Sequence, residues 1–216
     1  MPDQQLDDEI LAEFSAGNLP EMKAILVATH LTLCPDSRKA VEHFDAIGGS
    51  LLASSNGSDP GEGVKDRVLA SLEENYGGEP SPTHDEETCE LIPAPLRSKL
   101  GSSLGDLKWK KLGGKIKYID IAQPGKNSAA RLMTLPAGIN MPTHTHEGTE
   151  MTVVLSGGFS DAFGRYSRGD VAVRGIHDVH KPKVDAGEDC LCFVVTDAPL
   201  RMKGLLGFFL NRLKLW

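Results

Sequence analysis

A chain of 216 residues is long enough for one large domain or two small ones, and its net charge of −7 is unevenly shared: residues 1–85 hold 16 acidic and 5 basic side chains, residues 86–216 hold 14 and 18. The acidic first part repels phosphate backbones, which argues against direct contact with nucleic acid and suits either a basic protein partner or a solvated helical surface. The four cysteines (Cys34, Cys89, Cys190, Cys192) show no disulfide framework, polar and acidic residues follow Met1, and no stretch offers about 18 uninterrupted apolar residues, so the expectation is a cytoplasmic protein without a membrane span.

The first predicted helix starts after Asp7, a suitable N-cap, with Asp8 and Glu9 in the first turn and Leu6 placed to staple against Leu11; Gly17 ends it. A second helix follows Pro20 and sets Met22, Ile25, Leu26, Leu33 and the pair His30 and Cys34 at helical intervals. Pro35 marks a restart, after which Val41, Phe44, Ile47, Leu51 and Leu52 are expected to form a buried stripe, with Gly48 and Gly49 allowing close approach. A fourth helix is expected from Val64 to Leu72. Four short amphipathic helices imply a small bundle over residues 1–76.

Periodicity then stops. Gly77, Gly78, Pro80, Ser81 and Pro82 precede acids around Asp85, and residues 77–95 read as a linker. Beyond it come short β-type runs separated by glycine turns: Trp109 to Ile121, Ala130 to Leu135, Met151 to Leu155, Val171 to Val173 and Cys190 to Val195. With no internal repeat, this pattern predicts a sandwich or barrel over residues 96–216, and the fold class is multidomain α and β. The stretch from Leu200 to Trp216 is basic and amphipathic; it either packs on its own domain or offers a surface to a membrane or partner.

The strongest chemical signal lies in the second part, as Gly138-x5-His144-x-His146-x3-Glu150-x6-Gly157 and then Gly169-x5-Gly175-x4-His180. Two histidines one residue apart on an extended strand face the same side, because side chains alternate with period two. Three imidazoles and one carboxylate suit a divalent metal, zinc foremost, with iron, manganese or nickel as alternatives. This pattern resembles the cupin superfamily, whose first motif carries three ligands and whose second carries the last histidine. The resemblance implies a cupin β-barrel (a double-stranded β-helix, or jelly roll) with His144, His146, Glu150 and His180 as ligands. Gly175 and His177 depart from the usual second motif at positions that are not ligands.

His30 and Cys34, four apart on one helix face, need two further donors to make a metal site. Together with the stretches LAEFSAGNL (Leu11 to Leu19), ATHLTLC (Ala28 to Cys34), FDAIGGSL (Phe44 to Leu51) and DCLCFVVTDAPL (Asp189 to Leu200), they make the chain similar to ChrR-type zinc-containing anti-sigma factors, in which a helical domain precedes a cupin. The family's helical zinc motif adds a second cysteine and an earlier histidine, and here those positions hold Ser37 and Gln5 or Gln4. Only His30 and Cys34 match, so the N-terminal zinc is expected to be absent. The resemblance implies a helical module that binds and inhibits an extracytoplasmic-function sigma factor, and a metal-bearing cupin that is needed to release it under singlet oxygen or related oxidative stress. It implies a regulator rather than an enzyme.

Candidate sensors besides the ligands are Cys190 and Cys192, which share a strand face and are either redox-active or inert interior thiols. His177 is either a partner that orients a ligand or an exposed loop residue. A rival reading is a metal-dependent cupin enzyme of dioxygenase or isomerase type acting on a small molecule, for which Arg131, Thr152 and Arg165 are the evident polar handles. Barrels of this kind also pair through sheet edges, which makes a homodimer through the cupin an expectation.

Overall fold

A computed structural model describes residues 4–74, 82–122 and 128–202. Helices α1 (Asp8–Ser15), α2 (Glu21–Leu33), α3 (Pro35–Ser54) and α4 (Val64–Glu74) come first, followed by the short α5 (Glu86–Leu91) and α6 (Ala94–Arg97) and a 3-10 turn at Leu104–Asp106. Asp7 stands at the N-cap of α1 without a side-chain cap bond, and Gly17, at φ 71°, supplies the left-handed turn that ends it. Cys34 has extended backbone between α2 and α3, where Pro35 occupies the first turn of the new helix.

The strands that follow are β1 (Lys110–Gly113), β2 (Ile116–Asp120), β3 (Ala129–Leu135), β4 (His144–His146), β5 (Glu150–Ser156), β6 (Gly158–Asp161), β7 (Gly164–Ser167), β8 (Val171–Arg174), β9 (Val179–His180), β10 (Lys183–Val184), β11 (Cys190–Thr196) and β12 (Leu200–Met202). Six of them form one antiparallel sheet in the order β1-β2-β3-β11-β5-β8, and the others form two small sheets, β10-β6-β7 and β12-β4-β9. Gly157 joins β5 to β6 at φ 66°, where an added Cβ would lie 2.5 Å from the Asp189 carbonyl oxygen.

Alternation along the central strands gives the large sheet two apolar faces. Met133, Leu135, Val154, Ala172, Cys190 and Cys192 are buried in the barrel interior, whereas Leu132, Met151, Val153, Leu155, Val171, Phe193 and Val195 face the other way. That outer face is covered by helices. Leu26, Val27 and Leu31 of α2, Leu11 of α1, and Ile92 and Leu96 belong to the same buried cluster as Phe193 and Leu132. Lys23 pairs with Asp197 at 2.8 Å on the rim.

The helices pack on one another, α1 on α3 and α2 on α3 and α6, and α2 also packs on β5 and β11, because an apolar outer sheet face needs a cover. One expectation changes. The expected buried stripe of α3 holds only in its first half. Val41 is buried and Phe44 packs against the core, but Ile47, Leu51 and Leu52 are exposed, the last two by 67% and 75%. Residues 77–81 of the expected linker and the tail beyond Met202 lie outside the described residues, while α5 and the start of α6 occupy the region read as the rest of the linker.

Phe193 is fully buried between helices and sheet. Phe193→Ala is expected to cost about 3–5 kcal/mol in urea unfolding of the full chain, whereas Leu52→Ala should stay within about 0.5 kcal/mol.

Candidate metal centre

Strand register brings the four sequence-predicted ligands together. In β4, His144 and His146 point the same way, and β4 pairs with β9 so that His180 lies directly opposite His144. Glu150 opens β5, and one ligand atom from each of the four residues lies within 4.8 Å of every other. The three histidines are buried, and the Glu150 side chain is only 12% exposed.

Hydrogen bonds outside the cluster define the tautomers. His144 Nδ1 is 2.8 Å from the Pro142 carbonyl oxygen, and His180 Nδ1 is 2.8 Å from Asp161 Oδ2. Both neighbours accept, so both Nδ1 atoms donate and both Nε2 atoms present lone pairs. These face each other at 2.8 Å, and His146 Nε2 lies 3.1 Å from His180 Nε2. The facing lone pairs of His144 and His180 repel unless a positive centre sits between them, and burial holds His144 and His146 down to about 4, so neither of these two supplies that charge near neutrality. Burial also raises Glu150, whose charge needs compensation. His146 Nδ1 is buried without a hydrogen-bond partner, with Glu150 Oε2 at 4.0 Å. The donor set therefore fits a divalent cation.

The remaining candidates separate. Cys190 and Cys192 are buried on the interior side of β11; the contact with Cys190 and burial together push the Cys192 thiol well up, away from thiolate character. His177 is exposed in the turn before β9, and the group that contacts His180 is Asp161. A cavity of about 90 Å³ adjoins the cluster, and its wall is largely apolar, including Met133, Met141, Phe159 and Val194. Arg131 and Thr152 reach that cavity, Arg131 being tied to Asp120 at 3.1 Å; Arg165 instead lies outside, paired with Asp185 at 3.0 Å.

His30 and Cys34 are both buried at the junction of helices and barrel. His30 Nδ1 donates to the Gly169 carbonyl oxygen at 2.7 Å, which leaves Nε2 as an acceptor, 2.8 Å from Ser37 Oγ. The hydroxyl thus engages the lone pair that a metal would need. Burial keeps this imidazole below its ordinary pKa.

Sequence reasoning missed Asp161 and Arg174, and it placed Ser37 at the second-cysteine position without its bond to His30. Arg174 was accessible to it: two residues beyond Ala172 on β8, it must share the interior face, and a buried guanidinium requires a carboxylate nearby.

A helical head docked on a cupin barrel with a buried three-histidine, one-glutamate group that could hold a metal defines the protein as a two-part cupin. The ChrR cupin-like domain family matches residues 98–199. The anti-sigma-E factor ChrR of Cereibacter sphaeroides is 36% identical over 201 residues, covering 93% of this chain and 92% of that protein. The crystal structure of Rhodobacter sphaeroides SigE in complex with the anti-sigma ChrR matches with a TM-score of 0.77 at 33% identity, covering 91% of this chain and all of the matched chain. The chain belongs to the ChrR family of anti-sigma factors. Among the described residues no helix is long and apolar enough to cross a membrane.

The folded, metal-free chain holds His144 and His146 near 4 against the ordinary 6.5, so an unfolded chain takes up protons first as pH falls. Stability from these groups is complete above pH 6.5 and is lost on descent toward 4. Thermal melts of chelator-treated protein should show the melting temperature dropping across that window; a flat profile would contradict neutral buried imidazoles.

Proposed function

We propose that this protein binds and inhibits an extracytoplasmic-function sigma factor through its helical head, residues 1–76, and releases it under oxidative stress of the singlet-oxygen type by a change at a metal held in the cupin. The observation that carries the reading is the likeness to a ChrR anti-sigma factor across both parts of the chain, including a relative solved with its sigma factor. That likeness favours a regulator over the rival enzyme reading.

Two features of the molecule support it. Ile47, Leu51 and Leu52 of α3 and Val68, Leu69 and Leu72 of α4 are large apolar side chains exposed to solvent, on a head whose other apolar side rests on the barrel. Such side chains mark a surface that a protein partner covers. The acidic balance of residues 1–85 adds complementarity to a basic partner, as expected of sigma surfaces that meet DNA. A sigma partner also implies a cytoplasmic protein. The reading includes one metal ion per chain, with zinc first by ligand chemistry, held by His144, His146, Glu150 and His180; His30 and Cys34 serve packing instead. A bound cation would supply Lewis acidity and tie the four side chains into one unit.

Replacing both Leu51 and Leu52 by Asp is expected to weaken binding at least tenfold, in titrations of the full chain against the extracytoplasmic-function sigma factors of its source cell, with the unfolding midpoint unchanged. If no such sigma factor binds the wild-type chain, the reading fails. His144→Ala should abolish the single metal ion found by elemental analysis yet retain sigma binding. Loss of sigma binding in that folded variant would contradict the division of labour between head and barrel.

A further inference from the structure

Asp161 lies at the end of β6, with its side chain fully buried. It accepts from His180 Nδ1 at 2.8 Å, from the Phe163 backbone N–H at 2.9 Å and from both Arg174 Nη2 (2.9 Å) and Arg174 Nε (3.3 Å). Arg174, only 6% exposed, is itself held: it donates to Tyr166 Oη at 2.5 Å and to the Val173 carbonyl oxygen at 2.6 Å, and its guanidinium lies over the Phe163 ring at 4.3 Å. Register fixes its direction, since β8 sets Arg174 opposite Glu150 of β5, on the side of the sheet where the ligands converge.

The geometry points to Asp161, braced by Arg174, as the positioning residue that locks His180 with its Nε2 toward the ligand cluster. His180 occupies a two-residue edge strand paired on one side only, whereas His144 and His146 lie on β4, the central strand of that small sheet. Its ring can turn about the side-chain bonds, and its proton can sit on either nitrogen. A carboxylate at Nδ1 removes both freedoms: the proton is held on Nδ1 and the ring plane is set by the bond. Arg174 in turn prevents Asp161 from rotating toward the cluster, where a second anion would compete with Glu150. A buried ion pair contributes little net stability compared with apolar replacements, so stability alone gives weak reason for this arrangement. Its contact with a ligand histidine supplies the reason.

This inference rests on the metal reading above, and the test separates the two. Zinc affinity of the full chain is measured by competition with a chromogenic chelator, for wild type, Asp161→Asn, and the double variant Asp161→Leu with Arg174→Met, which removes both charges and leaves neither unpaired. Nitrogen NMR of the His180 imidazole is recorded on the metal-free proteins. Zinc binding is expected to weaken 10–100-fold in both variants. In the double variant the His180 proton should no longer be confined to Nδ1, with the melting temperature of the metal-free protein within a few degrees of wild type. Zinc affinity within twofold of wild type in either folded variant would overturn the positioning role while leaving the metal reading intact. A wild-type chain that takes up neither zinc, iron, manganese nor nickel would overturn both.

Discussion

Period-two alternation in a sheet that is apolar on both faces is the constraint on which the rest of the molecule depends. In β11, Cys190, Cys192 and Val194 face the interior while Phe193 and Val195 face outward, and β3, β5 and β8 follow the same rule in register. The inner face forms the wall behind the histidine cluster. The outer face would be a large exposed apolar surface if α2, α5 and α6 did not cover it, so docking of the head is a condition of the barrel's stability and not a separate event. A single slipped register in β11 would move the interior thiols under the helices and Phe193 into the cavity.

Charge balance explains the interior polarity that remains. Burying an ion without a partner is costly enough that such groups are paired, coordinate a metal or lose their charge. Asp161 follows the first route: burial opposes its ionisation, but hydrogen bonds from His180, Phe163 and Arg174 outweigh that and hold it near 2. Glu150 has no such set of donors, and burial raises it. One carboxylate in the interior is thus compensated by protein and one is not, and the uncompensated one belongs to the group whose lone pairs converge. A cation would satisfy Glu150 and the imidazoles together.

Much of this was legible in the sequence where a single local rule decides. The His144–His146 alternation and the Glu150 opening of β5 follow from strand periodicity, and the longer strands carry the β-branched and aliphatic runs expected of them. The β6–β7 hairpin, β9, β10 and β12 escaped because they are two to four residues long and polar or glycine-rich, so neighbours rather than propensity define them. Asp161 escaped for the same reason: its hairpin carries no periodic signal. The buried stripe expected for α3 was half right because helical periodicity reports an apolar face without saying what covers it. Val41 meets the core, whereas Leu51 and Leu52, farther along the same helix, extend beyond the region the barrel supports.

A head without its own zinc, as proposed above, has to be held by other contacts. A structural zinc contributes on the order of 10 kcal/mol to a small domain, whereas the two hydrogen bonds of His30, to Gly169 and Ser37, contribute roughly 1–3 kcal/mol in total. On the zinc-free reading that difference has to come from elsewhere, and Leu26, Val27 and Leu31 supply it by burial against the barrel at about 1.5–3 kcal/mol per side chain. His30 then acts as a polar pin through that contact, with Gly169 on the barrel side of it. Gly169 and Asp170 lead directly into β8, whose first residue, Val171, donates its N–H to the Gln4 carbonyl and whose last, Arg174, braces Asp161. The same four-residue strand therefore has the head at one end and the support of a ligand histidine at the other.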